Sequence, residues 1–188
     1  MLMKECNKKM VDKVEGFYEK IVGDTGTLQN LLGKLPGLRG YMERGKRREA
    51  DQLLRDTITG RLEQIRLDYS SAFRAVGRDI VLAMEYAEQM GRADNLMMGL
   101  IGKIKDAPVG YAGFFSAVKV DEEDLARLYS FDEQMLNHAD QIGAEVDALS
   151  KAVADGGNLQ GSLDALTSTL LEANATFNSR QEVLNGIK

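Results

Sequence analysis

Apolar residues recur every seven positions along most of this chain, with companions three or four residues away. Met10, Phe17 and Leu31 share one frame, interrupted by Asp24, and Val14, Ile21, Leu28 and Leu35 form the companion frame. A second run reads Leu62, Tyr69, Val76, Ala83, Met90, Met97 and Ile104, with Phe73, Ile80, Ala87 and Ile101 three residues before members of that set. A third reads Leu128, Met135, Ile142 and Leu149, flanked by Leu125, Ala139, Val146 and Val153. The last reads Leu163, Leu170, Phe177 and Leu184, flanked by Leu159, Leu166, Ala173 and Ile187. Such spacing gives a helix one apolar stripe. Repeated over four segments, it predicts helices that pack lengthwise on one another.

The punctuation agrees with the pattern. Pro36-Gly37 ends a first helix. Ala107-Pro108 ends a second, because proline disfavours the helical region at the residue before it. Asp121 can cap a third helix, with Glu122, Glu123 and Asp124 complementing its positive N-terminal end. Gly156-Gly157 stops the third, and Asn158 can cap a fourth. The expectation is a single all-α domain over residues 1–188 with helices at about 3–34, 41–106, 121–155 and 158–186, and an aromatic connector at 107–120. The fold class is long antiparallel helices in an elongated bundle or coiled-coil-like hairpin. One unbroken helix over 41–106 would span about 100 Å at 1.5 Å per residue, far more than a compact domain of this length. The frame passes through Gly91 without losing phase, which favours the elongated form; MGRADN at 90–95 is where a compact bundle would break it.

Composition supports the helical reading. Leu, Ala, Met, Glu, Gln, Lys and Arg dominate, there is no Trp, and Pro occurs twice in 188 residues. The 19 glycines are the anomaly. An interior glycine costs a helix about 0.5–1 kcal/mol relative to Ala, so some are expected at breaks or close helix contacts. The single cysteine, Cys6, excludes an internal disulfide and a cysteine-based zinc site, which suits a reducing, cytoplasmic setting. The opening residues lack the apolar run of a secretory signal, and no window reaches the length of a membrane-crossing helix. Charge divides the chain: residues 1–120 are net +4 and residues 121–188 net −9. Such halves favour pairing within a chain or head-to-tail contact between chains.

Catalytic patterns are hard to find. The one histidine, His138, lies on the flank of the apolar stripe and reads as a solvated or hydrogen-bonded residue rather than a base. A ferritin-like dimetal site needs two Glu-x-x-His pairs, which one histidine cannot supply. Neither a phosphate-binding loop nor a nucleophile elbow is present. The acidic run at 121–124 reads as capping, and Met90 and Met97 as core filling. No cofactor or metal is expected, and the chain is not expected to be an enzyme.

Two stretches carry the candidate contacts. LPGLRGYMERGKRREADQLLRD, residues 35–56, holds a net charge of +4 over Arg39–Arg48. Arg39, Arg44, Lys46, Arg47 and Arg48 could meet an anionic surface, lipid headgroups or an acidic partner, or could be the solvated face of a helix. Glu43, Glu49 and Asp51 cancel part of that field, and the acidic remainder of the chain argues against nucleic acid. PVGYAGFFSAVKV, residues 108–120, is apolar where a connector should be polar. Tyr111, Phe114 and Phe115 either plug the end of the bundle or dock on a membrane or partner.

Those two stretches, together with DEEDLARLYSFDEQML, resemble an uncharacterised family of bacterial all-helical proteins over roughly residues 25–150. The resemblance implies an all-α fold and carries no activity or functional residue. In texture the chain is also similar to the phage-shock-type helical membrane scaffolds, which implies a peripheral place at the inner face of a membrane. Gly16, Gly23 and Gly26 interrupt the N-terminal amphipathic helix that this second likeness would call for.

The sequence therefore leads to a non-catalytic helical scaffold or adaptor that self-associates or binds a protein partner, with a homo-oligomer expected because frames this regular leave a seam exposed. A peripheral membrane protein using residues 39–48 and 111–120 is the alternative. An enzyme or nucleic-acid binder is the third reading, opposed by the missing catalytic set and the acidic half.

Overall fold

A computed structural model describes residues 47–107 and 122–186, with the side chains of residues 51–107 and 130–180. Four helices make up the described residues: α1 (Arg47–Val76), α2 (Ile80–Asp106), α3 (Glu122–Asp155) and α4 (Leu159–Gly186). The expected helix over 3–34 lies outside them. The third and fourth helices begin and end within a residue of the boundaries read from the sequence.

The helix expected over 41–106 is two helices, and this corrects the sequence reading. The chain reverses at residues 77–79, not at Gly91. Gly77 N donates to Phe73 O and Asp79 N to Val76 O, which closes α1. The Asp79 carboxylate then accepts from Val81 N (2.9 Å) and Leu82 N (3.2 Å), capping α2. A glycine followed two residues later by an N-capping aspartate is a stop-and-start signal. The seven-residue frame conceals it because both helices of a hairpin carry the same repeat, and a three-residue turn happens to keep it in phase. Val76 and Met90 are buried on either side of the turn. Ile80, expected at the core, is instead 78% exposed. With α1 about 45 Å long at 1.5 Å per residue, the body is one helix long, and the 100 Å rod is not formed.

The principal packing pairs are α1–α2, α1–α3, α2–α4 and α3–α4. They make a four-cornered bundle with α1 opposite α4 and α2 opposite α3. Side-chain partners give the directions. Tyr69–Met90 and Arg55–Ala107 make α1 and α2 antiparallel. Arg61–Asp140 and the approach of Ile65 to Gly143 make α1 and α3 parallel. Gln160–Gln89 and Lys103–Asn174 make α2 and α4 parallel. The helices thus alternate in direction along the chain, as in simple four-helix bundles. Ala107, ahead of Pro108, has φ −54° and ψ 123°, the extended conformation proline imposes on its predecessor.

Most of the core follows the frames, with Leu54, Ile58, Leu100 and Leu136 buried beside them. Leu62, Tyr69, Met90, Met97, Leu100, Ile104, Leu136, Ile142, Leu149, Leu163, Leu166 and Leu170 are buried in one continuous cluster. Each such side chain contributes about 1.5–3 kcal/mol. The α3–α4 turn is a glycine-dependent cap. Gly156 takes φ +68° and Gly157 N returns to Ala152 O (2.9 Å). Asn158 Oδ1 accepts from Gly161 N (2.9 Å), as the sequence suggested. Gly143 fulfils the expectation of a close helix contact, since an added Cβ would lie 3.4 Å from Ile65 Cδ1. Gly60, Gly91, Gly99 and Gly102 face open space.

Candidate functional site

Of the candidate contact residues, Arg39, Arg44, Lys46, Tyr111, Phe114 and Phe115 lie outside the described residues. Arg47 and Arg48 open α1, and their side chains lie outside the described ones. Two features that the sequence reading did not single out occupy the described body.

The first is a buried ionic cluster at the end of the bundle where α1 and α3 begin. Asp51, Arg55, Asp132 and Arg180 are all at most 5% exposed. Arg180 Nε donates to Asp132 Oδ1 (2.8 Å), and Nη2 reaches across the bundle diagonal to Asp51 Oδ1 (2.5 Å). Arg55 Nε lies 3.1 Å from Asp51 Oδ2, and its Nη1 donates to Ala107 O (2.7 Å) at the C-terminus of α2. Two cations, two anions and one backbone carbonyl therefore tie all four helices together. A cavity of about 10 Å³ lies between this cluster and Leu54, Ile58, Ile104, Met135 and Phe177. That is room for at most about one water molecule, so the cluster is a clasp and not a ligand pocket. Only periodicity-breaking charges could have revealed it. Asp51 falls in the charged stretch weighed as a solvated face or an anionic contact, and nothing local marks Asp51, Arg55, Asp132 or Arg180 as buried.

The second feature is an apolar line on the outside of the α1–α2 hairpin. Leu67 is 62% exposed and Met84 85%. Leu53 and Leu67 are fourteen residues apart on α1, and Met84 and Met98 fourteen apart on α2. Each pair is two heptads apart, so it marks one line along its helix. Ile80 and Val81, also exposed, extend the line to the turn. Ion pairs join the two helices across the seam between them, Arg66 with Asp94 (2.8 Å) and Lys105 with Glu63. Six of the seven large apolar side chains exposed among the described residues lie on this hairpin; Leu171 is the seventh.

The α3–α4 seam is polar and hydrogen-bonded. Thr169 Oγ1 donates to Glu145 Oε1 (2.8 Å), and Gln141 Nε2 donates to Thr169 Oγ1 (3.1 Å). His138 Nε2 lies 3.2 Å from Thr176 Oγ1. Burial holds the His138 pKa below the usual imidazole value, with the Glu172 carboxylate opposing part of that effect. The sequence reading of His138 as a hydrogen-bonded flank residue matches this geometry. Among the described residues, no three His, Cys, Asp or Glu side chains gather as a metal ion would require, and no helix is long and apolar enough to cross a membrane.

No protein-family model, curated protein or solved structure matches this chain.

Proposed function

We propose that this protein is a non-catalytic helical scaffold or adaptor that works by protein contact, and that the outer face of the α1–α2 hairpin is its contact surface. The observation that carries this reading is the line of Leu53, Leu67, Ile80, Val81, Met84 and Met98. Scattered exposed apolar residues need no explanation, but a line of them along one hairpin is the signature of an interaction face. Covering it would recover about 25 cal/mol for each Å² of apolar surface removed from water. The lone Cys6 supports a cytoplasmic setting.

The test compares the full chain with the Leu67→Asp/Met84→Asp variant. Both are assayed by sedimentation velocity and by affinity capture from cells that express the protein. The expected result is a complex, with itself or with another protein, that the variant loses while keeping its helical circular dichroism. A chain that is monomeric and captures the same proteins with or without the substitutions contradicts the proposal. Co-sedimentation with anionic liposomes separates it from the membrane alternative, whose residues 39–48 and 111–120 would supply the binding.

A further inference from the structure

We draw no further inference here: the strongest candidate, the line of exposed apolar side chains on the outer face of the α1–α2 hairpin, is the surface already proposed for protein contact, and nothing in the structure shows what covers it.

Discussion

The two hairpins of this bundle solve one packing problem with different surfaces. Both bury a seven-residue repeat against the shared core, and both turn in three residues. Outside, α1–α2 is neutral overall and carries a line of exposed leucines and methionines, while α3–α4 is net −9 and exposes Leu171 alone among the large apolar residues described. A core repeat fixes only the inward face of a helix. The outward face is free to vary, so a difference there reports what each hairpin meets besides the core. An acidic, apolar-poor surface is one that stays in water; a neutral, apolar one is costly unless something covers it.

The strongest way to break the comparison is to cut the tie between the hairpins. Arg180 from α4 holds Asp51 of α1 and Asp132 of α3 inside the bundle. Arg180→Met would remove the cation that Asp51 and Asp132 share, leaving Asp51 to Arg55, and should lower stability by about 3–5 kcal/mol in urea unfolding. Replacing Asp51, Arg55, Asp132 and Arg180 together by apolar residues of similar size should recover most of that loss, because the desolvation cost disappears with the charges. If the single change is harmless, the clasp does not hold the two hairpins together.

Core truncations should show the hairpins to be equivalent inward. Leu100→Ala in α2 and Leu166→Ala in α4, both fully buried, should each cost about 2–5 kcal/mol. A large inequality between them in thermal melts would mean that one hairpin folds with little help from the other.

Most of this inward half was legible from the sequence. The frames named most of the buried residues, though not Leu54, Ile58, Leu100 or Leu136, and Asn158 and Gly156-Gly157 named the second turn. The first turn was missed because Gly77-Arg78-Asp79 lies inside an apolar repeat that does not change phase across it. The repeat tests which face is inward, not whether the chain continues in the same direction. The clasp was illegible for a related reason. Burial of Asp51 and Arg180 depends on residues 129 positions apart meeting across a diagonal, and no local pattern encodes that. The contact residues chosen from charge and aromatic content lie outside the described residues, except Arg47 and Arg48, whose side chains do. The apolar line was overlooked because the repeat draws attention to inward positions and leaves Leu67 and Met84 as unremarked residues between them.

Glycine substitutions separate a turn from a surface at smaller magnitude. Gly156→Ala forces a side chain into the left-handed region at φ +68° and should cost about 1–2 kcal/mol. Gly91→Ala meets open space on α2 and should stabilise by about 0.5–1 kcal/mol in the isolated body. A destabilised Gly91→Ala in the full chain would mean that something sits against that surface.

The smallest expected effect is a pH dependence in the acidic hairpin. The folded His138 pKa lies below its ordinary value of 6.5. Between the two values the unfolded chain binds a proton that the folded one does not. Stability from this residue is therefore complete above pH 6.5 and declines as pH falls through that window. His138→Gln should flatten this part of the stability–pH curve; an unchanged curve would assign the slope to other groups.

The central claim, that the outer face of α1–α2 is covered in solution and that of α3–α4 is not, is read most directly from methionine oxidation. Met84 and Met98 lie on the exposed line, while Met90, Met97 and Met135 are buried in the core. Dilute peroxide oxidises methionine according to exposure, and peptide mass spectrometry resolves each site. The account predicts that Met84 and Met98 oxidise slowly in the complex that the chain forms, with itself or with another protein, and rapidly in the Leu67→Asp variant, with the core methionines slow throughout. Rapid oxidation of Met84 and Met98 within that complex would contradict it.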